Sequence, residues 1–204
     1  MRWPLVVAVV ALASLPASAQ NTRFANKLAP FVTSSVKIVD RMLELAHLKP
    51  GEKLYDLGCG DGRILITAAG KYKVKAVGVE ISPKLVAEAQ KNIDNAGLSD
   101  QASVIKGDLL ETDLSDADVV TIYLATSLNA KLRPRLEHFL KPGSRVISHD
   151  YAVPGWKPSQ VERADDRHVH LIYVYEMPPS KAYDLPPAKA YDLPSAKVDG
   201  SARN

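Results

Sequence analysis

The sequence has almost no cysteine. Among 204 residues only Cys59 carries a thiol, so no internal disulfide framework can form. It also lacks an excess of either charge. Lys and Arg number 26 against 23 Asp and Glu, and the net charge of +3 is spread along the chain. That balance does not by itself argue for a nucleic-acid partner. The apolar run Leu5 to Leu15 falls well short of the ~20 residues a membrane-spanning helix needs, so no stable span is expected. His168 and His170 have no third ligand near them in sequence, and a metal centre is not expected either. What remains is 46% hydrophobic and 24% charged, enough for one globular domain with a real core.

The most informative stretch is Leu54-Tyr55-Asp56-Leu57-Gly58-Cys59-Gly60-Asp61-Gly62-Arg63-Ile64. It reads as a strand, a glycine turn and the start of a helix, with Ile64, Leu65, Ala68 and Ala69 at helical spacing. Glycines there permit positive φ and let a ligand approach bare backbone. A helix N-terminus beyond them offers N–H groups to an anion. Dinucleotide sites use G-x-G-x-x-G. Here the third glycine comes one position early, and Asp56 stands two before the first. A second apolar run, Ala76-Val77-Gly78-Val79-Glu80, ends in a carboxylate that can accept from ribose hydroxyls. Gly107-Asp108 follows a third candidate strand, Ala102–Lys106. Cys59 has two readings, a small residue in a tight turn or a reactive thiol.

Taken in order, these three features resemble the class I S-adenosylmethionine-dependent methyltransferases. Asp-Leu-Gly-Cys-Gly-Asp-Gly-Arg-Ile-Leu-Ile and the preceding Pro-Phe-Val-Thr also resemble the small lysine methyltransferases that act on the ATP synthase c subunit and related mitochondrial proteins. The resemblance implies a Rossmann-like α/β fold, a three-layer αβα sandwich. Its mostly parallel seven-stranded sheet would end in a C-terminal antiparallel hairpin. It implies S-adenosylmethionine as cofactor, held by Asp56, Gly58, Cys59, Gly60, Gly62, Glu80, Asp108 and Leu109. In that family Glu80 would bind the ribose and Asp108 would approach the adenine.

Four segments follow. Residues 1–19 read as a signal peptide: Arg2, the apolar run, then Pro16-Ala17-Ser18-Ala19 as a cleavage site before Gln20. An uncleaved anchor is the alternative. Residues 20–29 are a lead-in, 30–177 the methyltransferase domain, and 178–204 a proline-rich, disordered or extended tail. The tail repeats Lys-Ala-Tyr-Asp-Leu-Pro from Lys181 and again from Lys189, too few copies for a solenoid. The leader points to an exported protein. S-adenosylmethionine is made in the cytosol, which keeps a cytoplasmic location open.

Within the domain, helices are expected at about Val36–Leu48, from Arg63 to about Lys71, from Pro83 to Gly97, and over Asn129–Leu140 with Pro134 inside. Ser34 or Ser35 would cap the first, and Val36, Val39, Met42, Leu43 and Ala46 would form its buried face. Phe31 and Thr33 are either cofactor-side contacts or ordinary cap contacts. Strands are expected at Lys75–Glu80, Ala102–Lys106, about Ala117–Leu124 and Arg145–Ser148, with a hairpin of Val161–Ala164 and His168–Glu176. Trp156 is either a lid or substrate contact, or packing at the sheet edge. Lys131, Arg133 and Arg135 read as a solvated helix face or a partner site.

Thr121-Ile122-Tyr123-Leu124 stands where this family does its chemistry, without the Asn/Asp-Pro-Pro-Tyr/Phe motif of enzymes acting on DNA bases or glutamine. The expected acceptor is an amine, on a protein lysine or a small molecule. Neutralising a lysine at pH 7 costs ~4.6 kcal/mol from its reference pKa. Tyr123, His149 and Asp150 are the candidate catalytic residues, by position. A non-catalytic module of the same fold, binding a nucleoside or a protein, is the second reading. A nicotinamide-dependent oxidoreductase is a third, disfavoured by the glycine spacing.

Overall fold

A computed structural model describes residues 33–165, 168–178 and 180–181. The expected signal peptide and lead-in, Phe31 and the repeat beyond Lys181 lie outside the described residues.

Each element starts for a local reason. Ser35, in an extended conformation, accepts through its hydroxyl from Ile38 N and opens α1 (Val36–Leu45). Strand β1 (Lys53–Leu57) runs into the glycine loop, and Gly62, at φ 81°, opens α2 (Arg63–Tyr72). Strand β2 (Lys75–Glu80) leads to Ser82, which caps α3 (Pro83–Asn95) with proline in the first turn. Then come β3 (Ala102–Lys106), β4 (Val119–Ile122), α4 (Thr126–Phe139) and β5 (Arg145–His149). A short β6 (Trp156–Lys157), the hairpin β7 (Gln160–Asp165) and β8 (Val169–Glu176), and β9 (Ser180–Lys181) complete the described chain.

The main sheet has seven strands in the order β3-β2-β1-β4-β5-β8-β7. Neighbours from β3 to β5 are parallel, and β8 and β7 join antiparallel. The βα units wind outward from β1 through β2 to β3, then reverse through β4 to β5. The reversal opens a crevice beyond the C-terminal ends of β1 and β4, where ligands of such sheets bind.

Alternation along the strands sorts the core into two faces. Leu54, Ala76, Val119, Ile147 and Ile172 lie in one cluster with Ile38, Met42 and Leu43 of α1 and Leu65, Ala68 and Ala69 of α2. Leu57, Val79, Val120, Ile122 and Tyr175 lie in the other with Leu128, Leu132 and Leu136 of α4. No helix separates β3 from β4. Leu109, Leu110, Leu114 and Ala117 from that connection cover the sheet instead.

Several boundaries differ from expectation. Helix α1 ends at Leu45, and Val36 stands outside its buried face, 72% exposed. Helix α4 begins at Thr126 and runs through Pro134 as one helix. Strand β4 covers only four of the expected eight residues, all of them buried, leaving Tyr123 and Leu124 beyond its end. Trp156 is packed: its ring meets Tyr175 edge-on at 5.4 Å, and its indole N–H donates to Glu137 at 2.7 Å. Arg133 donates to Pro154 O at 2.8 Å and Arg135 to Thr112 O at 3.0 Å, so both arginines brace loops. Ser180–Lys181 pairs with Trp156–Lys157.

One glycine outside the loop is fixed by packing. A Cβ on Gly78 would lie 2.5 Å from Cys59 Sγ and 2.6 Å from Leu65 Cδ1. The turn after β1 can settle on β2 only because this position is bare. Gly78→Ala is therefore expected to lower stability by about 1–3 kcal/mol through overpacking. Denaturant unfolding of the variant beside the wild type checks this.

Candidate active site

The glycine loop folds over the end of β2. Gly58 N and Cys59 N both donate to Val79 O, at 2.8 and 3.2 Å. Gly58, Gly60 and Gly62 all have positive φ, a region costly for side-chain-bearing residues. A Cβ on Gly62 would come within 3.1 Å of Ala89 on α3, so the start of α2 is pressed against its neighbour. Cys59 is buried against Gly78 with its thiol pKa raised, chiefly by burial. That geometry is the packing reading of Cys59; its thiol faces the core, and only its backbone belongs to the loop surface.

Glu80 sits at the centre of the loop's support. Its carboxylate is buried and accepts from Gly60 N at 3.1 Å and Ser82 N at 2.9 Å. Those bonds pin the glycine loop to the β2–α3 turn. Asp56, also buried, accepts from the Thr121 hydroxyl at 2.7 Å. Burial pushes its carboxyl up to about 7, the Glu80 and Asp61 carboxylates push the same way, and Thr121 opposes. Among the described residues neither Asp56 nor Glu80 forms an ion pair with a basic side chain. Buried acids of this kind call for a compensating positive charge. S-adenosylmethionine carries a sulfonium and an ammonium, so the donor set fits that cofactor. Gly107 N donates to Glu80 O at 3.0 Å, and Asp108 Oδ1 accepts from Leu110 N at 2.8 Å. Asp108 and Leu109 thus stand at the end of β3, along the same rim as Glu80.

The first turn of α2 is held from within. Asp61 accepts from the Arg63 guanidinium at 2.5–3.1 Å and from Arg63 N at 3.3 Å. The guanidinium holds the Asp61 carboxyl below its ordinary value. Arg63 also donates to Ser34 O at 2.6 Å, tying the approach to α1 to the loop. Thr33 is exposed.

The three candidate catalytic residues come together past β4 and β5. Tyr123 donates to Asp150 Oδ2 at 3.2 Å, and its ring lies 3.9 Å from the His149 ring. Burial, followed by the Asp150 carboxylate, raises the Tyr123 phenol above its ordinary value. Burial pushes the His149 imidazole down to about 4, against the pull of Asp150, so it is neutral at pH 7. Asp150 has φ 59°, and its backbone N donates to Leu171 O at 2.7 Å.

Two members of this cluster are not apparent in the sequence. Ser34 shares a 2.9 Å hydrogen bond with His149 Nδ1, and His170 Nδ1 lies 2.9 Å from Asp150 Oδ2. Strand alternation pairs His170 with His168. In the structure His168 lies exposed outside β8, and His170 meets residues at the end of β5 instead. The antiparallel register His149↔Ile172 is the signal that could have found it.

Two predictions follow from the buried acids. Glu80→Ala should weaken S-adenosylhomocysteine binding by about 10–100-fold, the worth of charge-assisted hydrogen bonds, measured by calorimetry. A cation beside Asp56 lowers its pKa, so binding releases a proton where the free carboxyl is protonated. S-adenosylmethionine affinity should therefore rise several-fold as pH increases through about 7, and Asp56→Asn should flatten that dependence.

Comparison with known proteins agrees with this geometry. The ANTKMT methyltransferase domain model matches residues 56–160. A protein-lysine N-methyltransferase of Saccharolobus islandicus is 47% identical over 72% of this chain and 92% of its own length. The mouse lysine N-methyltransferase named for the ATP synthase c subunit is 30% identical over 72% of this chain, which spans 58% of that protein. Among solved structures, an RNA methyltransferase from Salinibacter ruber in complex with S-adenosyl-L-homocysteine is 44% identical. It covers 76% of this chain and 99% of its own, with a TM-score of 0.70. The glycine loop, its buried acids and these matches together place the chain in the ANTKMT methyltransferase domain family, as a class I S-adenosylmethionine-dependent methyltransferase.

Proposed function

We propose that this enzyme methylates the side-chain amine of a protein lysine. The observation that carries the reading is the Tyr123–Asp150 pair, set beyond β4 and β5 beside a neutral, buried His149. The archaeal and mouse relatives named for protein lysine support it.

Bound S-adenosylmethionine supplies a methyl group already activated by the sulfonium charge. The chain's own residues then have two tasks. The first is orientation, which can supply several kcal/mol when the attacking atom is held in line. Asp56, Glu80 and the glycine loop hold the donor side, and Tyr123 holds the acceptor side. The second is removal of a proton, because only the neutral amine attacks. Tyr123 keeps its proton at neutral pH and donates it to Asp150 Oδ2. Its oxygen retains lone pairs able to accept an N–H from the incoming ammonium. A proton taken by that oxygen passes on to Asp150 through the existing hydrogen bond. Neutral His149, pressed against the Tyr123 ring, adds no positive charge to repel the ammonium.

The Salinibacter protein named for RNA supports a competing acceptor. Against it stands the mild net charge of +3, spread along the chain. The apolar run and small-residue site within residues 1–19 support export with Gln20 as the mature N-terminus; the cytosolic origin of the cofactor supports a cytoplasmic location instead.

Radiolabelled methyl transfer separates the acceptors. Label should enter lysine-rich protein and survive ribonuclease, and reductive methylation of the lysines beforehand should abolish it. Label confined to RNA would overturn the reading. Tyr123→Phe should lower kcat by about 100-fold, as expected for loss of a proton-transfer group, with S-adenosylhomocysteine affinity unchanged. Mass spectrometry of chain recovered from its host should find Gln20 first if the leader is cleaved.

A further inference from the structure

Ser34, His149, Asp150 and His170 form a constellation that methyl transfer does not fully use. His149 Nε2 lies 3.0 Å from His170 Nδ1 and 3.4 Å from Asp150 Oδ2. His170 Nδ1 lies 2.9 Å from that same oxygen. In a tetrahedral centre with bonds near 2.0–2.2 Å, nitrogen and oxygen ligands stand about 3.3 Å apart. The three atoms already form a triangle of about that size, built across the sheet from the end of β5 and from β8.

We propose that His149, Asp150 and His170 form a binding site for a divalent transition metal of the zinc or cobalt type. Two imidazoles and one carboxylate suit such ions and do not suit magnesium or calcium, which take oxygen ligands. The surroundings fix each ligand in place. With its Nδ1 proton donated to Ser34 Oγ at 2.9 Å, His149 presents the Nε2 lone pair to the triangle; such outer partners are characteristic of metal-bound histidines. Asp150 is locked by two bonds to β8: its N donates to Leu171 O, and its Oδ1 accepts from Leu171 N at 3.0 Å. The second oxygen, Oδ2, is left to the triangle and to Tyr123. Its left-handed backbone, rare in a residue with a side chain, is what turns it there.

Access is one-sided. The His149 side chain is 1% exposed, while those of Asp150 and His170 are 20% and 21% exposed. An ion would be closed in from behind and open in front, the arrangement that leaves a fourth position for water or an incoming group. It would replace the hydrogen now bridging His170 Nδ1 to its neighbours. It would also occupy the Asp150 oxygen to which Tyr123 donates, so the ion and the proton released by an acceptor ammonium would compete for one atom. That last consequence rests on the lysine reading; the site itself does not.

The test is titration of the untagged full chain with Co2+, followed by visible absorption, with Zn2+ then added to displace it. One equivalent should give a ligand-field band that Zn2+ removes. His170→Gln and Asp150→Asn should each weaken binding at least about tenfold. Asn tolerates the left-handed backbone, so that variant should keep its fold, which circular dichroism verifies. His168→Gln should leave the band intact. Absence of the band in the wild type, or its survival at full affinity in both His170→Gln and Asp150→Asn, would overturn the proposal. Neither result depends on which acceptor the enzyme methylates.

Discussion

A single desolvated carboxylate holds the cofactor side of this enzyme together. Glu80 accepts from Gly60 N and Ser82 N, and through them fixes the glycine loop and the entry to α3. A carboxylate taken out of water must be satisfied by hydrogen bonds, so the loop's shape and the acid's burial depend on each other. The close approach that allows this comes from Gly78, where any side chain would meet Cys59 and Leu65. Loop, strand and helix are thus one packed unit.

Ser34 joins that unit to the acceptor side. Its carbonyl receives the Arg63 guanidinium, and its hydroxyl meets the His149 ring. Helix α1 already packs between α2 and β5. Here a short stretch before α1 bridges them directly. Its own backbone is kept out of the helix by Ser35, the residue that caps it.

The parallel half of the fold was legible because its signals are local. Asp56, the spaced glycines, Glu80 and the Ser82-Pro83 cap each declare themselves within a few residues. Tyr123, His149 and Asp150 were legible from their places after strands. What was not legible depended on pairing across the sheet. His170 reaches the cluster only through the antiparallel register of β8 on β5, and sequence spacing suggested His168 as its companion. Trp156 has a lid, a substrate contact and packing as equal readings in sequence; a hydrogen bond to Glu137, 19 residues away, turns it inward. Arg133 and Arg135 looked like a solvated helix face because their acceptors are backbone carbonyls, which sequence does not distinguish. Val36 follows the helical period but lies in the first turn, before α1 meets the sheet.

Those two arginines have a mechanical consequence. Arg135 reaches Thr112 O in the connection after β3, and Arg133 reaches Pro154 O in the connection after β5. Both connections leave the same end of the sheet, on either side of the crevice. One helix therefore grips both banks of the cleft at once. A movement that widens the mouth on one bank strains the other through a rigid rod rather than through loose chain. The width of the cleft mouth is thus referred to one helix rather than to two independent loops.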